Sequence, residues 1–492
     1  MPTGEATQLA LAILVLGALI GVAAFTTRAS RRGPLPLTLL FLGVGMLAGS
    51  EAIGGIHFDD HVLAYRIGTV ALVLILFDGG LSTRFRKVRK HLAPAIALAT
   101  VGVVATAAVV AGAGRLLGLE WTEALLLAAV VSSTDAAAVF ATLRGGRIHL
   151  QQRVGATIEL ESGLNDPMAV ILTAAMAEYA LHGDLAPLTL AWQVPVQLLV
   201  GTVVGIGVGL GCRTALLRMP PTAIGLLPLV TTAAAAVAYG GATVLWGSGF
   251  LAVYTCGVVL GNRSLPDAAG VRRVHDFLAW SAQVILFVTL GLFVFPSQLS
   301  EVALVAVAIA LALVIVARPV AVAACLLPFR YPWREVVYVG WVGLRGAVPI
   351  VLATYPVLLG VPGAEHLFNI VFFVVVVSVV VQAGSVKGVT KLLGLESRSP
   401  PPPEASIEIA SMRAHDANIA CYHIDPRVAV AGATIAEVPF PKTAAIMLIV
   451  RGSHLVAPRG GVRLEPGDHV YVFCQPEDEP AVALWFGRRI DD

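Results

Sequence analysis

Residues 159–167 read Glu159-Leu160-Glu161-Ser162-Gly163-Leu164-Asn165-Asp166-Pro167. They lie inside an apolar run that starts after Arg153 and stops at the polar patch His182-Gly183-Asp184. That run is long enough to cross a bilayer as a helix. Carboxylates in the body of such a helix are costly, so Glu159, Glu161 and Asp166 are expected to face protein or water and to have a task. On a helix Ser162 and Asp166, four apart, share a face, and Glu161 and Asn165 form a second pair on the neighbouring stripe. The alternative is a soluble buried helix with paired acids, which the surroundings argue against.

Of the 492 residues, 57% are hydrophobic and 13% charged, about half the roughly 25% charge of a soluble domain. Mean hydropathy is +0.84. The expected fold class is therefore an all-α polytopic membrane protein. A formal net charge of +2 is too small to argue for nucleic acid. Cys212, Cys256, Cys325, Cys421 and Cys474 are scattered without a CxxC, which argues against a zinc site or disulfide framework and fits a reducing interior.

Moving outward, the first apolar run follows Glu5 and precedes Arg28, Arg31 and Arg32. A signal peptide has its bases before its apolar core, so this run reads as an uncleaved helix with its N-terminus outside. Polar, Pro and Gly breaks divide the chain into about thirteen crossing segments, at 8–27, 35–50, 62–82, 92–115, 121–143, 154–180, 188–217, 223–245, 249–262, 274–295, 300–328, 334–357 and 365–392. Alternate loops are basic: Arg28, Arg31 and Arg32; Arg84, Arg86, Lys87, Arg89 and Lys90; Arg144, Arg147 and Arg153; Arg213 and Arg218; Arg263, Arg272 and Arg273; Arg330 and Arg334; Lys387 and Lys391. The loops between them hold Glu51, Asp59, Asp60, Glu120, Glu123, Asp184, Glu301 and Glu365, with Arg115 the basic exception. Cytoplasmic loops are the basic ones, so the N-terminus is expected outside and the C-terminal tail in the cytoplasm.

Residues 1–395 thus read as a transmembrane domain. Residues 396–404 read as a linker, whose Pro400-Pro401-Pro402-Pro403 favours an extended polyproline spacer. Residues 405–492 read as a small cytoplasmic α+β domain. Short β-rich runs at 445–450 and 469–473 are separated by the turn signals Gly452-Ser453 and Pro466-Gly467-Asp468. A core of this size is marginal, so pairing with a second copy is expected.

Two membrane segments carry break signals. Val131-Ser132-Ser133-Thr134-Asp135 interrupts the fifth, and such residues prefer caps to helix interiors. The expected result is a helix that stops, exposes carbonyls and restarts with Asp135 at or near its N-cap. The alternative is a continuous helix whose hydroxyls bond back to earlier carbonyls. Gly343-Leu344-Arg345-Gly346-Ala347-Val348-Pro349 interrupts the twelfth. Opposed broken helices in corresponding positions mark inverted repeats in secondary transporters. Oxygens of Asp166, Asp135 and Ser162, with a carbonyl near Thr134, suit a hard monovalent cation. A proton competes for Asp166, because burial favours the protonated carboxyl and a bound cation the ionised one. Alternating access would turn that competition into coupled, one-for-one exchange.

Arg345 and Arg318 lie within the membrane and each needs a partner. Glu161 is the expected brace for Arg345. Arg318, before Pro319, is expected at a helix end or lipid interface. Asp78, in Phe77-Asp78-Gly79-Gly80-Leu81, reads as a helix-end acid or a pathway residue. Thr100-Val101-Gly102-Val103-Val104 lacks the ending of a potassium-channel filter. Gly201, Gly205 and Gly209, spaced four apart, read as a packing face.

Ser132-Ser133-Thr134-Asp135, Glu161-Ser162-Gly163-Leu164-Asn165-Asp166-Pro167 and Gly343-Leu344-Arg345-Gly346-Ala347 resemble the signatures of the monovalent cation:proton antiporter family, Asn-Asp branch, over roughly residues 8–392. The resemblance implies a homodimer with dimerisation and mobile core domains. It implies cation binding at Thr134, Asp135, Ser162 and Asp166, supported by Glu161, Asn165 and Arg345, with Asp78 where the family often has an acid. Residues 404–475, through Leu464-Glu465-Pro466-Gly467-Asp468-His469-Val470, resemble the C-terminal (TrkA-C-like) subdomain of RCK potassium-regulatory domains. Antiporters with this tail are often of the potassium/proton type. The nucleotide-binding RCK half is missing, which argues against NAD or ATP sensing and leaves a nucleotide such as a cyclic dinucleotide between paired tails as the expected ligand class. The implied function is a transporter of the cell (inner) membrane, not an enzyme, exchanging cytoplasmic K+ or Na+ for H+ with no resident cofactor. An RCK-gated cation channel and a ligand-sensing receptor are the competing classes. K+ and Na+ differ too little in preferred oxygen distance to be separated from sequence.

Overall fold

The structure is a computed structural model. It describes residues 14, 17–22, 25, 37–144, 148–183, 187–219, 225–397, 418–426, 428–452, 454–475 and 477–487. Arg28, Arg31, Arg32, Arg147, Asp184 and most of the expected linker lie outside the described residues. Contacts divide the chain into two units, Met1–Ser397 and Arg398–Asp492.

The described residues of the first unit are mostly helical. Its longer described helices are α1 Leu37–Ala48, α2 His61–Ser82, α3 Arg89–Leu116, α4 Trp121–Val130, α5 Ala136–Arg144, α6 Gln152–His182 and α7 Pro187–Arg218. They continue with α8 Leu227–Val244, α9 Gly249–Gly261, α10 Ala268–Leu292, α11 Ser297–Phe329, α12 Trp333–Trp341, α13 Ala347–Leu358 and α14 Ala364–Leu392. Among the described residues seven helices (α2, α3, α7, α8, α10, α11 and α14) are long and apolar enough to cross a membrane. Helix α6 has 31 residues, but the acids within it lower its hydropathy. The fifth and twelfth sequence segments each appear as two half-helices, α4/α5 and α12/α13, too short singly to span about 30 Å of hydrocarbon.

Local chemistry sets the helix ends. Asp60 caps α2 by accepting from the Leu63 amide at 2.9 Å, and Ser248 caps α9 through the Leu251 amide. Helix α6 ends at Gly183, whose φ of 74° closes it in the left-handed conformation that glycine adopts without strain. The Gly201, Gly205 and Gly209 stripe of α7 packs on α9. A methyl group at Gly201 or Gly205 would come within 2.6 or 2.4 Å of the Ser248 or Ala252 carbonyl. Gly80 of α2 and Gly257 and Gly261 of α9 bring those two helices equally close. Helices α3, α11 and α14 each contain a π-turn, at Leu98–Gly102, Leu313–Ala317 and Val379–Ala383, a distortion that often accompanies function. The filter-like Thr100–Val104 stretch is part of helix α3.

Among the described residues the second unit is an antiparallel four-stranded sheet with one α-helix and a short 3-10 turn at Ile435–Glu437. Strands β1 Asn418–His423, β2 Ala445–Arg451, β3 His454–Val456 and β4 His469–Cys474 pair in the order β1-β4-β2-β3. Helix α15, Glu479–Phe486, contributes Val482 and Phe486 to a core with Tyr422, Ile449, Leu464, Val470 and Val472. The Pro466-Gly467-Asp468 turn leads into β4, with Gly467 at φ 97°. Asp468, fully buried, is held bidentately by Arg451 at 2.8 and 2.9 Å. The five cysteines are free and buried.

Candidate cation site

Helix α4 ends at Val130 and α5 starts at Ala136. The Asp135 carboxylate accepts from the Ala138 amide at 3.0 Å and so caps α5. The Asp135 amide donates to the Leu344 carbonyl at 2.7 Å, which joins the first break to the second. Gly346 is the N-cap of α13, and a methyl group there would fall 2.0 Å from Asp135 Oδ2. Asp135 therefore sits against the positive N-terminal ends of two half-helices. Only a residue without a side chain leaves room for it.

Arg345 reaches back across the crossing. Its Nη1 donates to the Ser132 carbonyl at 2.8 Å and to the Ser133 carbonyl. Its positive charge thus meets the carbonyls beyond the C-terminal end of α4, where the helix dipole is negative. Helix α6 lies beside this crossing. Ser162 donates to the Thr134 carbonyl at 3.0 Å and accepts from the Ala136 amide at 3.1 Å, bridging the gap. Asn165 Nδ2 donates to Thr134 Oγ1 at 2.6 Å. Asp166 is 7% exposed and within electrostatic range of Asp135. Asp166 Oδ1 and Asn165 Oδ1 are buried without a hydrogen-bond partner among the described residues. Buried oxygens in this condition suit a cation or a proton.

The family of sodium/hydrogen exchanger transmembrane domains matches residues 15–392. The chain belongs to the sodium/hydrogen exchanger family. As a member it is a cation/proton antiporter rather than a gated channel. The exchanger is 39% identical to the "K(+)/H(+) antiporter NhaP" of Alkalimonas amylolytica, over 96% of this chain and 83% of that protein. It is 36% identical to the "K(+)/H(+) antiporter NhaP2" of Shewanella sp. (strain ANA-3), with the same coverage. Its fold is similar to that of the sodium proton antiporter MjNhaP1 from Methanocaldococcus jannaschii, with a TM-score of 0.68 and 23% identity over 78% of this chain and 99% of that one. Residues 423–487 match the TrkA-C domain.

The exchanger departs from the sequence reading at its buried arginines. Glu161 does not brace Arg345. Its Oε1 lies 2.5 Å from Arg318 Nη2, with the two side chains 1% and 2% exposed. The Arg345 guanidinium is instead engaged by the Ser132 and Ser133 carbonyls just beyond α4. Arg318 lies in the body of α11, directly after its π-turn. Gly343 leaves space for it, since a methyl group there would meet Arg318 Nε at 2.6 Å. Arg318 is therefore neither at a helix end nor at the lipid surface. Asp78 lies partly buried on α2, four residues before Ser82.

Other residues at the exchanger's crossing were not singled out from sequence. Ser378 of α14 accepts from the Arg345 amide at 3.1 Å and donates to Gln382 Oε1. Gln382 Nε2 donates to the Trp341 carbonyl at 2.6 Å. The available signal was a serine and a glutamine four apart in the otherwise apolar stretch 370–384.

Proposed function

We propose that this exchanger moves K+ in preference to Na+ against H+, one for one, with both ions competing for Asp166. The observation that carries the reading is the charge balance around the crossing. The guanidiniums of Arg318 and Arg345 accompany the carboxylates of Glu161, Asp135 and Asp166. With all five ionised, one negative charge is left over. A single proton or a single monovalent cation neutralises it, so each half-cycle crosses the low-dielectric interior without net charge. Asp166 and Asp135 supply the charged oxygens, and the Thr134 and Ser162 hydroxyls complete the cation-binding set. Asn165, Glu161 and Arg345 hold that set in shape. In this reading Ser162 ties the Thr134 carbonyl to the start of α5, so its role is as much to hold the break open as to bind. The preference for K+ is supported by the relatives at 36–39% identity, which are named K+/H+ antiporters.

In the same reading the protein is a homodimer in the cell inner membrane. Its N-terminus is outside, the basic loops are cytoplasmic, and the helical domain of residues 1–395 carries the transport. The tail from residue 405 regulates exchange through a small ligand. Reconstituted into proteoliposomes with a trapped pH dye, the wild-type protein should move protons in response to an imposed K+ gradient without a membrane potential. The apparent KM should be lower for K+ than for Na+. D166N should abolish the signal; exchange retained in D166N would overturn the assignment.

A further inference from the structure

The same face of α6 that carries Ser162 and Asp166 carries a third polar group, Glu159, seven residues before Asp166. That spacing is two turns, about 10 Å along the axis. Glu159 is partly buried and has no basic partner among the described residues. Glu161 is taken by Arg318, and Arg153, one and a half turns away, pairs with Glu335 at 3.3 Å and stacks on Tyr331. The hydrogen-bond partner of Glu159 among the described residues is a hydroxyl. Thr83, the C-cap of α2, donates to Glu159 Oε1 at 2.9 Å and shares that proton with the Gly79 carbonyl. The Tyr254 hydroxyl of α9 lies 3.2 Å from Thr83 Oγ1. Between Glu159 and Asp166, Gly163 leaves the space that the Tyr254 ring fills; a methyl group there would sit 2.5 Å from Tyr254 Cζ.

We propose that Glu159, with the Thr83 and Tyr254 hydroxyls, forms a second station for a monovalent cation on the path to Asp166. A carboxylate has about four acceptor positions, and Thr83 occupies one. Hydroxyls can rotate to turn lone pairs toward a cation, and oxygen donors suit a hard one. A single negative charge without a basic partner matches a single monovalent ion. The station is built from α6 on one side and from α2 and α9 on the other. Any shift of α6 along those helices separates Glu159 from Thr83, so the station exists in only one of the transporter's states. A cation held there favours that state. A carboxylate serving only as a hydrogen-bond acceptor would need neither its charge nor its place in line with Asp166.

This proposal rests on the assignment of Asp166, and the test separates the two. Exchange is measured in proteoliposomes with K+ as the driving cation, together with thermal melting of the detergent-solubilised protein. E159Q keeps an acceptor for Thr83 but removes the charge. It should raise the apparent KM for K+ roughly three- to tenfold, with kcat within about twofold of wild type and unchanged melting. T83A, which keeps the charge and loses a hydroxyl, should raise KM by less. An unaltered KM in E159Q, or a loss of kcat or of melting temperature at constant KM, makes Glu159 a structural acceptor and overturns the station. Should E159Q fail to assemble, E159D carries the test: the retained charge should keep KM within about threefold, and a larger rise overturns the proposal. Exchange retained in D166N would remove the central site whatever Glu159 does.

Discussion

Arg318 and Arg345 are both buried in the helical unit, and their surroundings give them different work. Among the described residues the Arg345 guanidinium donates its hydrogen bonds to neutral carbonyls, those of Ser132 and Ser133, so it compensates a half-helix end. Arg318 meets a full charge on Glu161. Breaking a buried pair from one side leaves a lone charge and costs about 3–5 kcal/mol, whereas replacing both partners by neutral groups costs far less. R318A should therefore lower the melting temperature of the solubilised protein clearly more than the double variant E161Q/R318Q. Equal losses would mean that the pair is not coupled. Glu161 and Arg318 are recognisable in the sequence as groups that need partners. Their match is not, because both arginines are reasonable candidates until α11 is seen to carry Arg318 past Gly343.

At the scale of elements, the breaks were legible because they are written locally. Ser, Thr and Asp in the fifth segment and Gly-Leu-Arg-Gly in the twelfth conflict with helix interiors over a few residues. The π-turns of α3, α11 and α14 were not, because nothing in Leu98–Gly102 or Leu313–Ala317 differs from ordinary apolar helix. In the tail the β4–β1 pair places His469 directly opposite His423, with rings 4.9 Å apart. Burial, and then the neighbouring His423, hold the His469 imidazole below its ordinary range, against an opposing pull from Asp468. The folded sheet thus prefers neutral His469, while the unfolded chain binds a proton near pH 6.5. Its contribution to stability is complete above that pH and is lost as pH falls toward the folded value. Amide exchange in β1 and β4 of the full-length protein, corrected for intrinsic rates, should lose protection between pH 7 and pH 5. H469Q should flatten the change, and an equal loss in H469Q would rule out this histidine.

At the scale of the whole molecule, the alternation of basic and acidic loops predicts which ends of the helices share a side. All five native cysteines are buried, so introduced cysteines can report orientation with little background. In sealed inside-out vesicles S264C, exposed between α9 and α10, should react with a membrane-impermeant maleimide. E301C, exposed near the start of α11, should react only from the opposite side in right-side-out cells. The reverse pattern would invert the topology and with it the direction of transport.

The sequence by itself determined the class of the protein, the approximate limits of most described helices, the two breaks, and part of the set that gathers at the crossing: Thr134, Asp135, Ser162, Asn165, Asp166 and Arg345. Each of these follows from hydropathy, charge or cap chemistry over a short stretch. The tertiary structure alone decided which arginine Glu161 holds, that Ser162 ties the Thr134 carbonyl to α5, and that Glu159 meets the Thr83 hydroxyl at the end of α2. Those contacts join residues 26 to 157 positions apart. They depend on how closely glycine faces let the helices approach, a distance that a linear pattern of residue types does not encode.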